Sequence, residues 1–109
     1  MALREQSYLI LLALADGPLH GYGVIKAVLE LSEQRVRLGA GTLYGALDRL
    51  SSDGLVSVVK EEVVTGRHRR YYDLTGHGRT VLAEETDRLT RLATTARTRL
   101  SLQPGWGTR

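Results

Sequence analysis

TLYGALDRLSSDGLVSVVKEEVVTGRHRRYYDL, residues 42–74, changes its period part-way through, and that change decides the fold. In the first half Leu43, Leu47 and Leu50 recur at i, i+4 and i+7, which lines one face of a helix with leucine, and Asp53-Gly54 closes it. From Leu55 the residues become β-branched and partly alternating. Thr65-Gly66 then supplies a turn, and RRYYDL returns with Tyr71 or Tyr72 facing inward, so the spacing predicts a two-stranded hairpin. Two strands alone are marginal in water, and this pair must lean on helices.

The helices lie on either side. The run from Leu3 to Ala15 is rich in leucine and alanine, uncharged after Glu5, and stopped by Asp16-Gly17-Pro18. HGYGVIKAVLELSEQ, residues 20–34, sets Val24, Ile25, Val28, Leu29 and Leu31 near helical spacing, with Lys26, Glu30 and Glu33 left for solvent. Downstream, Thr75 to Leu102 carries the longest helical pattern, with Val81, Leu82, Leu89, Leu92, Ala93, Ala96 and Leu100 on one apolar seam. At about 1.5 Å per residue it is roughly 40 Å long, more than a lid over three short helices requires. Pro104, Gly105 and Gly107 mark residues 103–109 as a flexible tail that includes Trp106. The order helix, helix, helix, hairpin, long helix is the layout of a winged helix-turn-helix. The expected architecture is therefore mainly α with a small β-hairpin. Residues 1–74 form the winged unit and residues 75–102 a dimerisation helix whose seam is set by the seven apolar residues just named.

Composition narrows the function. Fifteen basic residues against twelve acidic ones give a net charge of +3, a mild tilt towards an anionic partner such as nucleic acid. The absence of cysteine excludes disulfides, thiolate metal sites and a cysteine nucleophile, and suits a cytoplasmic protein. The uncharged run QSYLILLALA, residues 6–15, falls far short of the roughly 20 apolar residues that span a bilayer. Ala13-Leu14-Ala15 imitates a signal-peptidase site, but Arg4 is offset by Glu5 and the apolar stretch is short, so a buried first helix is expected instead.

The chemistry-bearing residues point away from catalysis. His20, His68 and His77 are scattered and lack acidic residues at a ligand spacing, which leaves no metal site. No serine has an identifiable base with an orienting acid, so neither an enzyme nor a cofactor is expected. GAGTLYG, residues 39–45, resembles a phosphate-cradling loop, yet the preceding apolar strand and βαβ unit of a nucleotide-binding fold are missing.

What remains is a basic hairpin next to a short helix. Arg67, His68, Arg69 and Arg70 crowd a stretch without an acid, where neutralising phosphate is the natural task. On the third helix the face away from the leucines offers Thr42, Tyr44, Gly45, Asp48 and Arg49. Its N-terminus suits phosphates, and Tyr44 and Arg49 suit base edges. Asp48 would be repelled by phosphate and is expected to point aside or pair with Arg49 or a wing arginine.

ILLALADGPLHGYGVIKAV, GAGTLYGALDRLSSDGLV and RHRRYYDLTGHGRTVL resemble, in order and spacing, the signature segments of the PadR family of bacterial transcriptional regulators. The resemblance implies a homodimeric winged-helix repressor of the type with a single C-terminal helix, binding double-stranded DNA at a palindromic operator. It also implies possible autoregulation, and release by a small aromatic or cationic effector held between the first and fourth helices at the dimer interface. It further implies that Tyr22, Thr42, Leu43, Tyr44, Arg69 and Tyr71 contact DNA or hold the reading head. The alternative from another class is a winged-helix protein-interaction module whose basic wing grips an acidic protein.

Overall fold

The computed structural model describes residues 3–101. Helix α1 spans Glu5–Ala13 and continues as a single 3₁₀ turn over Leu14–Asp16. A two-residue strand β1, Leu19–His20, leads into helix α2, Gly21–Leu31, and then helix α3, Ala40–Ser52. Strands β2, Val56–Val64, and β3, Arg67–Leu74, form the wing, and helix α4, Gly76–Arg99, follows. The architecture is the winged helix-turn-helix that the sequence predicts, with one addition. The sheet has three strands in the order β1-β3-β2, because Leu19 and His20 pair with Tyr72 and Tyr71.

The core gathers leucines from every helix. Ile10, Leu11 and Leu14 meet Val24 and Val28 of α2 and Leu43 and Leu47 of α3, all shielded from solvent. Tyr72, not Tyr71, is the inward tyrosine of β3 and is buried with Leu74. In α2 the stripe is narrower than its periodicity suggests: Val24 and Val28 are buried, Ile25 and Leu29 half-buried, and Leu31 exposed. Burying apolar surface contributes about 25 cal/mol per Å², so these inner faces hold the helices together.

Capping fixes where α3 stops and the wing starts. Leu55 N–H donates to Leu50 C=O at 2.9 Å and Gly54 N–H to Ser51 C=O at 3.0 Å, a Schellman closure. Gly54 sits at φ 77°, the left-handed position that such a closure demands. The buried Leu50 and Leu55 supply its apolar contact. Thr75 ties this corner to α4: its hydroxyl donates to Gly54 C=O at 2.6 Å and accepts from Gly78 N–H at 2.9 Å, capping the last helix.

Helix α4 has two halves of different character. Val81 and Leu82 are buried in the chain's own core, as is the Glu85 carboxylate, which takes a two-pronged bond from Arg88 at 2.8 and 2.7 Å. Beyond Glu85 every described residue is exposed, including Leu89, Leu92, Ala93, Ala96 and Leu100. The apolar seam is thus split, its first two members turned to the core and the rest to solvent. Trp106 and the tail of residues 103–109 lie outside the described residues. Among the described residues no helix is long and apolar enough to cross a membrane.

Candidate nucleic-acid interface

The wing is closed by a two-residue turn. Val64 pairs with Arg67, leaving Thr65 and Gly66 at φ 52° and 75°, the doubly left-handed turn that follows the twist of a hairpin. That count fixes the register, and the register sets two acids across from the basic strand: Glu61 faces Arg70 and Glu62 faces Arg69. Their consequences differ. Glu61 Oε1 lies 2.9 Å from His68 Nε2 and 3.4 Å from Arg70 Nε, so part of the wing's charge is already neutralised. Arg67 and Arg69 make no ion pair among the described residues. They are the cations left open to an external anion.

Glu62 is turned to a structural role. Tyr71 donates its hydroxyl to Glu62 Oε1 at 2.6 Å and the Lys60 ammonium lies 3.3 Å from the same carboxylate, and together they hold this carboxyl below its ordinary range. Tyr71 itself is half-buried, with the His20 ring edge-on at 5.4 Å and the Lys60 ammonium 5.3 Å from its ring centre. It braces the sheet at the root of the wing rather than reaching outward.

The helical side of the candidate interface comes from α2 and α3. Helix α3 begins after Gly39 without any side-chain cap, and residues 39–42 are exposed, so the amides of its first turn point outward with the positive end of the helix dipole. The Tyr44 ring lies over the start of α2, where a Cβ at Gly21 would collide with the Tyr44 hydroxyl. Glycine at position 21 is what lets this phenol approach. His20 caps α2 by accepting Gly23 N–H on Nδ1 at 3.4 Å, which sets Tyr22 on the exposed first turn, 70% accessible.

These pieces converge. Tyr22 from α2, Tyr44 from α3 and Arg67, His68, Arg69 and Arg70 from β3 line one cleft of about 170 Å³ between the helix-turn-helix and the wing. Thr42 and Arg49 are exposed on α3 but outside this cleft, Leu43 is core, and Tyr71 stands behind it. Asp48 is exposed and pairs with neither Arg49 nor a wing arginine. Glu61, Glu62 and the capping His20 are the contributors that reading one strand at a time misses. Counting across the Thr65-Gly66 turn would have found the two acids.

Residues 10–84 match the model of the PadR-like transcriptional regulator family, which spans every element from α1 into α4. The chain belongs to that family. It is therefore a transcriptional regulator, not an enzyme. A 79-residue stretch, 72% of the chain, is 43% identical to the transcriptional regulator Rv3488 of Mycobacterium tuberculosis and covers 70% of that protein. Over 93 residues, 85% of the chain, it is also 43% identical to an uncharacterized 37.1 kDa protein in transposon Tn4556 of Streptomyces fradiae, of which it spans only 25%. Among solved structures, Bacillus subtilis PadR in complex with operator DNA superposes with a TM-score of 0.68 at 24% identity, over 76% of this chain and 47% of that one. That likeness is one of fold.

Proposed function

We propose that this PadR-like chain is a cytoplasmic, sequence-specific repressor that binds a palindromic operator as a homodimer and is released by a small-molecule effector. The observation that carries the reading is the shared cleft in which the α3 tyrosine and the unpaired wing arginines face the same space. Arg67 and Arg69 hold backbone phosphates, with Arg70 and His68 beside them. Thr42, Tyr44, Arg49 and the open amides of α3 dock in the major groove, and Tyr22 meets the backbone from α2. Residues 1–74 serve as the reading head and residues 75–102 as the pairing helix, although Val81 and Leu82 anchor that helix to its own head. The Bacillus subtilis relative, caught on operator DNA with the same fold, supports the assignment.

Dimerisation is supported by the exposed half of α4. Leu89, Leu92 and Leu100 are 39%, 54% and 60% accessible on a stretch of helix in which every described residue is exposed. A lone helix of that length is marginal in water, so a partner is needed to hold it. For the effector, α1 and α4 enclose an open, mostly apolar cleft of about 410 Å³ lined by Leu3, Tyr8, Leu9, Leu89 and the Glu85–Arg88 pair. Its apolar walls suit a small aromatic compound, and the Glu5 carboxylate, which also lines it, suits a cationic one.

The test is competition binding of the purified protein to its own upstream DNA and to scrambled DNA at two salt concentrations. The expected result is preference for the upstream duplex at two protomers per site. With about four phosphates met per subunit, affinity should fall by about 10⁴ between about 50 and 200 mM salt. A flat salt response removes the electrostatic wing, and equal binding to both duplexes removes sequence specificity.

A further inference from the structure

Helix α3 carries two opposite charges side by side that do not compensate each other. Asp48 and Arg49 are both exposed, and among the described residues neither makes an ion pair. Adjacent helical positions point about 100° apart and do not face each other. Their places on the helix also differ. Leu43, Ala46, Leu47 and Leu50 are buried and define the inner face of α3. At about 100° per residue, Gly41, Gly45, Asp48 and Ser52 fall on the line furthest from that face, with Arg49 to one side of it. Much of this outer ridge is bare backbone. A Cβ at Gly41 would meet open space, and one at Gly45 would meet only the Arg49 guanidinium, at 3.7 Å. The short Asp48 carboxylate follows one turn behind the glycines, and the Arg49 side chain is laid back across Gly45.

A carboxylate on this ridge works against binding to DNA as such, because every phosphate repels it. In the major groove that cost is offset only by a base-edge donor, and the short aspartate stem needs the helix to come close. The missing side chains at Gly41 and Gly45 allow that approach. Guanine and thymine present only acceptors there, and adenine presents its amino group beside the N7 acceptor. Cytosine presents the N4 amino group with no acceptor next to it, so it is the base that a carboxylate tolerates best. The guanidinium has the opposite requirement and finds it at guanine, whose O6 and N7 accept a two-pronged donation.

We propose that Asp48 and Arg49 set the base sequence of the operator, Asp48 accepting from the N4 amino group of a cytosine and Arg49 donating to a guanine in each half-site. The inference rests on the reading of the chain as a DNA-binding protein and names the bases that it reads. Asp48 acts chiefly by exclusion. It disfavours every duplex that sets guanine or thymine against it, and so separates the operator from other DNA that the wing arginines hold equally well.

The experiment selects duplexes from a randomised library with the full chain and then measures affinities for the selected site. Wild-type protein is expected to enrich one invariant cytosine and one invariant guanine per half-site. Asp48→Asn should move the first preference from cytosine to adenine, because a carboxamide both accepts from N6 and donates to N7. Arg49→Lys should keep the guanine, whereas Arg49→Gln should exchange it for adenine. Replacing the C·G pair by T·A in one half-site should cost the wild type about tenfold in affinity. Asp48→Ala should be indifferent to that replacement and should bind scrambled DNA more tightly than wild type, since a repulsion is gone. The position is exposed and alanine favours helix, so the fold is retained. The assignment is overturned if Asp48→Ala keeps the wild-type discrimination at every position, if it binds scrambled DNA no better, or if Arg49→Gln still selects guanine. Wild-type protein that enriches no sequence at all would instead overturn the sequence-specific DNA reading beneath it.

Discussion

At the scale of single residues, the wing arginines are not equivalent although they are adjacent. Arg70 stands opposite Glu61 and Arg69 opposite Glu62, yet Glu62 is occupied by Tyr71 and Lys60, which leaves Arg69 open. On the proposed reading an open guanidinium meets phosphate, which is the same at every base pair, and the Tyr44 hydroxyl meets a groove edge. Arg69→Ala should therefore weaken binding to specific and scrambled DNA alike and lower the salt slope by about one. Tyr44→Phe should cost about 1 kcal/mol with specific DNA and little with scrambled, the value of one hydrogen bond. Fluorescence anisotropy with both duplexes checks the pair. Equal losses from both variants on both duplexes would contradict this division of labour.

At the scale of elements, the wing depends on a turn whose chemistry is not optimal. Both turn residues are left-handed, and Thr65 adopts φ 52° despite its β-branched side chain. Asn-Gly is the preferred pair for such a turn. Thr65→Asn should raise unfolding free energy by about 1 kcal/mol, read from the urea midpoint, without moving the cleft residues. The same hairpin shows what the sequence makes legible. A two-residue turn between alternating runs sets the cross-strand partners nearest to it, so the pairs Glu61 with Arg70 and Glu62 with Arg69 were available by counting. The bulge between Val58 and Lys60 was not, because consecutive valines carry no mark of which one is extra. Strand β1 was equally hidden: two residues after a proline are too short to show a period, and only pairing with Tyr71 and Tyr72 defines them. The leucine face of α3 and its end were legible, since the leucine spacing and Asp53-Gly54 encode face and stop locally, but its start was not: Ala40 and Gly41 read as loop before Thr42, and both are helical. Glu85 was not, because a periodicity reading assigns every acid to solvent, and it is the Arg88 bond above all that makes its burial tolerable.

At the scale of the whole molecule, α4 is both a strut of the reading head and a projecting arm, and the two roles respond to different perturbations. The strut is acid-sensitive. Arg88 holds the Glu85 carboxyl below its ordinary value of 4.5, so the folded state binds this proton more weakly than the unfolded chain. The resulting stabilisation is complete above about pH 4.5 and is lost as pH falls below it through the lowered folded value. Urea midpoints should therefore drop on that acid limb, and Glu85→Gln should lose stability near neutral pH while removing part of the drop. The arm should respond instead to charge on its exposed leucines. Leu92 is 54% accessible and sits seven residues beyond the last core contact, so Leu92→Glu deletes no packing within the chain. Its cost falls on whatever covers the helix, where a buried unpaired carboxylate is strongly unfavourable. Sedimentation should then show the mass of one chain where the wild type shows two. Thermal unfolding of the core should become independent of protein concentration. Operator affinity should fall far more than a single lost contact explains, because two heads on one palindrome bind as a linked pair. A Leu92→Glu protein that still sediments as two chains would place the pairing surface elsewhere than on the distal half of α4.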